Sequence, residues 1–532
     1  MLKINSPGAG QSVSPPLKLS SQSGTLWSVY LPHLLIVIVI TVGIVPRLSQ
    51  YPVPWFDEGY TTHVAHLLVE KGVYGTYNGL RLSPFDPFVS SGPGVVLPIA
   101  AMFQFFGDGF WQARLALFPY ALLMGLALFY LARYLYGQTM AFLTVMGVLV
   151  IFQWLANIAD LDLSPLMLGR QVLGEIPAIS MILLGLLIWF KSWDHHRLFL
   201  SILAGIICGI GMLSKMQTAF GLLPALFFIA AFRTFKNRQN FLLYFSPLCI
   251  VMLIVLAWMG FQRISTPPEL RAEYSTVTTL AIIVHYIIGL FGRVLQNRVV
   301  LISATIALFI FLRLAVLARE SRKDMDITNR QWAEMTVITF ALFYLIWYFF
   351  LSVGWERYIF PTFLLTCLLA AKLGWDTLTH LFNNPENKWG KRFEQGNINL
   401  LMLGTFAASV ILIALSIVTW TDPDTNSAQQ VTDYIRTNIP QEAMIESWEW
   451  ELDSPSDHLK VHHPDSIYVI TSIWDLAMHR PITLNYDMLQ ANPDYLILGR
   501  FNNLTDIYKW DEVEKHFELI ESFGLYHIYK RK

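Results

Sequence analysis

For its first 420 residues the chain alternates long apolar blocks with short polar turns. A helix that crosses a bilayer needs about 20 mostly apolar residues. Blocks at 27–46, 113–133, 139–157, 174–190, 198–213, 216–232, 241–260, 298–317, 333–351, 358–375 and 399–419 approach or reach that length and predict about eleven transmembrane helices. Two further stretches, 93–106 and 279–296, are shorter or interrupted and read as interfacial helices. After Trp420 the pattern changes. Val431, Tyr434, Ile435 and Ile439 recur at helical spacing behind Ser427-x-x-Gln430, which reads as a capping box. Short β-rich runs follow at Ile467–Ile470, Ile482–Leu484, Tyr495–Leu498 and Leu525–Tyr529, so a small α/β domain is expected there.

Composition sharpens this division. Charged residues make up 14% of the 532 and hydrophobic ones 54%, where a soluble protein carries about 25% charge. Mean hydropathy is +0.47. The deficit belongs to the first part. Residues 421–532 hold 9 basic and 19 acidic residues, and residues 1–420 hold 28 basic and 19 acidic. A soluble multidomain enzyme, a disordered chain and a nucleic-acid binder with a basic face are excluded. The expected organisation is a Ser/Pro/Gly-rich disordered tail over 1–26, an all-α polytopic membrane bundle over 27–420, and a soluble α/β domain over 421–532. The first apolar run has no small-residue cleavage site, so it reads as a span rather than a removable signal peptide. Cys208, Cys249 and Cys367 each sit in an apolar run and suggest no disulfide framework.

Orientation follows from Lys and Arg, which accumulate on the cytoplasmic side. With 93–106 and 279–296 left uncrossed, one set of loops carries about three times the basic density of the other. That set includes the segment Arg319-Glu-Ser-Arg-Lys323. The N-terminus is thus expected in the cytoplasm, with the 47–112 loop and the C-terminal domain outside a plasma (inner) membrane.

Polar residues are costly beside a bilayer, so those on the outer side carry the functional reading. The 47–112 loop is far longer than a connector. It opens with Trp55-Phe-Asp57-Glu58-Gly-Tyr60, and Tyr60, Val64, Leu67 and Leu68 form one apolar helix face suited to the membrane surface. Asp57 reads either as an N-cap or as a general base. Arg170 and Glu175 lie at the outer start of one span, Lys215 in a helical hairpin turn, and Glu356, Arg357 and Tyr358 in another short turn. Singly, each can snorkel. Together they predict a pocket in which Lys215 and Arg357 hold an anion. His63 and His66 lack further ligands at metal spacing, and His462-His463 read as solvated. No phosphate-binding Gly-rich loop is present.

The Asp57-Glu58 pair after the first span resembles the Asp-Glu motif of the GT-C glycosyltransferases, a superfamily that includes the protein O-mannosyltransferases and the lipid A aminoarabinose transferase. The resemblance covers residues 27–375. It also rests on Gly107-Asp-Gly-Phe-Trp-Gln-Ala-Arg114, on Lys215 in its hairpin, and on Arg357-Tyr358-Ile-Phe-Pro361. It implies a hexosyl- or pentosyltransferase that moves a sugar from a polyprenyl-phosphate carrier to an envelope acceptor (lipid, glycan or protein) with inversion. Asp57 would be the base, Glu58 would orient acceptor or base, and Lys215, Arg357 and Tyr358 would hold the carrier phosphate. Members often place a cation before Pro-Pro in the first outer loop. Here the matching stretch is Ser90-Ser-Gly-Pro93-Gly94, so Arg81 or Arg170 is the candidate replacement, with Glu175 nearby. No cofactor is required by this reading; a divalent metal is compatible with the carboxylates but not indicated by their spacing. Membrane lipids are the other expected partner, and nucleic acid is not one.

Two other classes fit a polytopic chain. A transporter or flippase of a lipid-linked or anionic substrate would also hold buried charge, but the charges cluster at one face and no inverted repeat is visible. An oligosaccharide polymerase or ligase would carry its long loop later in the chain.

Overall fold

The computed structural model describes residues 26–85, 91–151, 163–265, 297–323, 327–382 except 353, 404–414 except 412, 426–453, 460–465 and 485–532, with Tyr468, Ser472 and Asp475 besides. The bundle begins with α1 (Leu26–Ile44), followed by α2 (Phe56–Lys71), a hairpin of β1 (Gly75–Tyr77) and β2 (Leu82–Pro84), and α3 (Pro93–Phe106). Next come α4 (Phe110–Tyr136), α5 (Gln138–Met146), α6 (Pro165–Leu168), α7 (Glu175–His195), α8 (Leu198–Ser214), α9 (Ala219–Lys236) and α10 (Phe241–Ser265). The last three are α11 (Asn297–Lys323), α12 (Asn329–Leu351) and α13 (Phe360–Phe382).

Among the described residues seven helical stretches are long and apolar enough to cross a membrane, and four shorter apolar helices accompany them. Ten of the eleven expected spans coincide with helices; most of 399–419, all of 279–296, the tail before residue 26 and the join at Trp420 lie outside the described residues. Of the two stretches expected not to cross, 93–106 is α3. At 14 residues it is about 21 Å long, too short for a hydrocarbon core of about 30 Å.

The bundle core joins α1, α4, α7, α8, α9 and α12 through residues such as Ile36, Ile40, Leu128, Leu183, Trp189, Leu226 and Tyr348. Charges at the ends of the helices add register. Arg313 forms a buried pair with Glu334, which also accepts a bond of 2.8 Å from Tyr136; Arg313 lies 3.6 Å from Asp376. This joins α4, α11, α12 and α13 at one end of the bundle. At the same end Arg233 is sandwiched by Trp193 (4.1 Å) and Tyr244 (4.6 Å) and donates to Asn329 (2.9 Å).

The C-terminal domain has α14 (Ser427–Asn438), β3 (Ile445–Ser447), β4 (Val461–His462), β5 (Tyr495–Leu498), α15 (Arg500–Thr505), α16 (Trp510–His516), β6 (Phe517–Phe523) and β7 (Tyr526–Arg531). Its sheet runs β4-β3-β5-β7-β6, parallel at β4-β3-β5 and antiparallel beyond. Val431, Ile435 and Ile439 pack on Ile445, Ile497 and Ile528, as the helical spacing requires. Helix α14 starts at Ser427 with Asn426 at the cap position, so the expected capping box is not the one formed. Of the β-rich runs, 495–498 and 525–529 are strands, whereas 467–470 and 482–484 fall largely outside the described residues. Strand β6 is exposed along most of its length, which removes the alternation that would reveal it.

The apolar face of α2 behaves differently from expectation. Val64 and Leu67 are buried, and Val64 packs against Val95, Val96 and Ile99 of α3 rather than lying on the bilayer surface. The opposite face meets the C-terminal domain. A Cβ on Gly59 would lie 2.2 Å from the Glu451 nitrogen, so only glycine lets the two backbones approach. Phe56 stacks on Phe501 at 4.6 Å. Helix α2 is therefore covered on both sides.

Orientation is testable. With Cys208, Cys249 and Cys367 replaced, a cysteine at Leu80 or Asp511 should react with an impermeant thiol reagent on intact cells, and one at Arg319 should not. Labelling at 319 from outside would reverse the assignment of sides.

Candidate active site

The site forms where α2, the Lys215 turn and the turn after α12 meet. Helix α2 carries Trp55 at its cap position and makes no side-chain cap bond, so Asp57 lies in the first turn and is not the N-cap. Its carboxylate instead pairs with Arg357, 300 residues later. Asp57 keeps 26% of its side chain exposed and Arg357 4%, so the pair has a wet side and a dry side.

Glu58 points the other way. It and Arg114 have no solvent contact and form a bidentate pair of 2.6 and 2.9 Å. Val172 donates a further backbone bond to Glu58 (2.8 Å), and Arg114 donates to the carbonyls of Leu48 (2.7 Å) and Pro52 (2.8 Å). Every one of these bonds goes to protein and holds α2 against α4 and the segment before α7. The neighbouring acids thus have separate partners.

Arg357 sits in a short 3-10 turn, Glu356–Ile359, with its guanidinium carbon 4.6 Å from both the Trp55 and Trp355 rings and 5.2 Å from Tyr358. The Trp55 indole is held by a 3.1 Å bond to Gln171. Buried Nε and Nη1 of Arg357 have no hydrogen-bond partner among the described residues. Lys215, 4.9 Å from the same Tyr358 ring, pairs with Glu175 at 3.0 Å. Burial opposes the lysine's charge, but Glu175 and Tyr358 outweigh it and raise the ammonium pKa. The Lys215 turn is fixed by close neighbours. Gly92 donates to Ser214 O (3.1 Å), and a Cβ there would lie 1.9 Å from Leu213 O. Gly92 and Gly94, within the described part of that stretch, therefore pack against the Lys215 turn.

Two expected phosphate ligands make bonds to protein. Arg170 is fully buried and donates to the carbonyls of Tyr51 (2.9 Å), Gly43 (3.1 Å) and Pro46, which ties the end of α1 to the lead-in of α2. Burial, helped by Arg114, lowers its pKa to about 9. Arg81, half exposed on the β1–β2 hairpin, pairs with Asp465 of the C-terminal domain at 3.1 Å. Sequence reasoning missed Trp55, Gln171 and the role of Arg114. A lone arginine in the second turn of an apolar helix was the available signal for Arg114.

The histidines also differ from expectation. His462 and His463 are buried. Asp453 lies between His463 (2.8 Å) and His63 of α2 (3.1 Å), and Trp450 stacks on His463 at 3.8 Å. Burial resists ionisation of Asp453, but the two histidines outweigh it and hold the carboxyl at about 2. Among the described residues no group of three or more His, Cys, Asp or Glu side chains is placed to hold a metal.

No curated protein sequence matches the chain. The family described as dolichyl-phosphate-mannose-protein mannosyltransferase matches residues 90–258. The structure superposes on that of ArnT from Cupriavidus metallidurans bound to undecaprenyl phosphate with a TM-score of 0.57, at 13% identity over 96% of this chain and 98% of that one. The chain has the GT-C fold. The archaeal oligosaccharyltransferase AglB from Archaeoglobus fulgidus, in complex with an inhibitory peptide and a dolichol-phosphate, shares it with a TM-score of 0.54, at 12% identity over 96% and 75% of the two chains. The GT-C match spans both the bundle and the C-terminal domain of this chain.

Removing one partner of a buried ion pair costs about 3–5 kcal/mol. Glu58→Gln and Arg114→Gln should each lower the thermal midpoint of the purified protein markedly, whereas Asp57→Asn, at the exposed end of its pair, should lower it less. Equal midpoints for all three would remove Glu58 from its positioning role.

Proposed function

We propose that the protein is a membrane glycosyltransferase that moves a sugar from a polyprenyl-phosphate carrier to an acceptor at the extracytoplasmic face of the plasma membrane, with inversion. The observation that carries this reading is the meeting of Asp57 with Arg357, whose two remaining buried N–H groups and whose neighbour Lys215 offer an anion site. The shared fold supports it, since ArnT was solved with undecaprenyl phosphate and AglB with a dolichol-phosphate. Seven apolar helices support membrane residence.

In this mechanism Asp57 accepts the proton of the acceptor hydroxyl while that oxygen bonds to the anomeric carbon. The bond from the anomeric carbon to the phosphate oxygen breaks on the opposite face, and its electron pair leaves with the carrier phosphate. Arg357 links the two events. A carboxylate paired to a guanidinium is a weak base; a phosphate that recruits Arg357 through Nε and Nη1 loosens that hold and frees Asp57 for the acceptor. As the leaving phosphate gains charge, Asp57 loses its own, so Arg357 keeps an anionic partner throughout. Lys215 shares the growing charge, and the Trp55, Trp355 and Tyr358 rings keep water from the guanidinium, which strengthens each electrostatic contact. The acceptor is a hydroxyl of an envelope lipid, glycan or protein.

A general base contributes about 10²–10⁴-fold to rate. Asp57→Asn should therefore lose at least about a hundredfold in turnover with carrier-lipid affinity kept, measured with radiolabelled polyprenyl-phosphate sugars and membrane extract. Lys215→Gln and Arg357→Gln should instead weaken binding of polyprenyl phosphate. Turnover of Asp57→Asn near that of the unaltered protein would sink the mechanism.

A further inference from the structure

In and behind the site, four cations each have a carboxylate of their own. Arg357 pairs with Asp57, Lys215 with Glu175 at 3.0 Å, Arg114 with Glu58 at 2.6 Å, and Arg298 with Glu356 at 4.0 Å. Arg170 turns its donors to the carbonyls of Gly43, Pro46 and Tyr51. Two of these carboxylates have a stated task, Asp57 as base and Glu58 as anchor. Glu175 has none. It is 1% exposed, it stands at the first residue of α7, and the charges of both Lys215 and Arg357 act on it. A carboxylate buried between two cations that await a phosphate weakens the very ligand they would bind.

We propose that Glu175 is a specificity-determining residue that restricts the donor to a single phosphate between lipid and sugar. This rests on the glycosyltransferase reading above and names the donor class of the same site. A sugar phosphodiester carries one negative charge, and a sugar diphosphate carries two. Lys215 and Arg357 flank one ring, that of Tyr358, at 4.9 and 5.2 Å. They are close enough together to grip two adjoining phosphates if both were free. Glu175 removes Lys215 from that task in part, so the site accommodates one added negative charge well and a second one poorly. A unit charge a few ångströms away in a partly buried site outweighs a tenfold difference in affinity even at a high effective dielectric.

The test uses the full-length protein in lipid nanodiscs with the methyl esters of polyprenyl monophosphate and polyprenyl diphosphate, of equal chain length and carrying one and two negative charges, as probes. The unaltered protein should bind the monophosphate in preference to the diphosphate, and Glu175→Gln should shift the ratio toward the diphosphate by at least about tenfold. Glu175→Asp, which keeps the charge, should hold the original preference. Should Glu175→Gln fail to fold, the double variant Glu175→Gln/Lys215→Gln restores the charge balance. It should bind both lipids more weakly with the original ratio, and a diphosphate preference in it would overturn the proposal. Equal binding of the two lipids by the unaltered protein, or an unchanged ratio in Glu175→Gln, overturns the role of Glu175 and leaves the glycosyltransferase reading intact. Binding of neither lipid by the unaltered protein overturns both.

Discussion

The rest of the site depends on one buried pair, Glu58 with Arg114. Two opposite charges without solvent contact are expensive unless their hydrogen bonds are complete, and here the Leu48 and Pro52 carbonyls and the Val172 amide complete them. The pair fixes how far α2 is rotated about its axis. Consecutive helical residues are displaced by about a quarter-turn or more, so anchoring Glu58 in the dry interior points Asp57 toward the wet edge, where Arg357 meets it. Arg170 does the same for the preceding segment by gathering three carbonyls. Arg170, which reads as a ligand in the sequence, and Arg114 thus both hold the segment that carries Asp57.

A second constraint comes from above. Helix α2 is held from two sides: α3 covers Val64, and the Trp450–Leu452 turn crosses at Gly59. The C-terminal domain reaches the same helix through Asp453, which pairs with both His63 of α2 and His463, and reaches the β1–β2 hairpin with Asp465. A domain that grips α2 at several points limits the positions Asp57 can take.

Much of the fold was legible because the membrane imposes long apolar blocks, and ten of them recur as helices. Lys215, Arg357 and Tyr358 were legible as a cluster because charge beside a bilayer is costly without purpose. What the chain hid is what depends on contacts far apart. The surface-helix reading of Tyr60, Val64, Leu67 and Leu68 identified an apolar face but not its occupant, α3. Nothing local distinguishes Asp57 from Glu58, since adjacent acids on a helix diverge only once Arg114 and Arg357 are in place. His462 and His463 looked solvated because their partners, Glu446 and Asp453, lie on other segments. The two-residue strand β4 is too short to show a period.

The separations along the chain carry a consequence for biogenesis. Glu58 finds Arg114 after 56 residues, Asp57 finds Arg357 after 300, and Asn78 finds Asp465 after 387. If helices enter the bilayer in the order of synthesis, the Glu58–Arg114 pair can close while the ribosome is still at work, but Asp57 and Arg357 meet only after nearly all the spans are in. The C-terminal clamp on α2 closes later still, once the domain beyond the bundle has folded. A chain stalled or clipped anywhere between these stages has its helices but not the assembled cluster of Asp57, Arg357 and Lys215. The Asp57–Arg357 pair then serves as a report that insertion has finished.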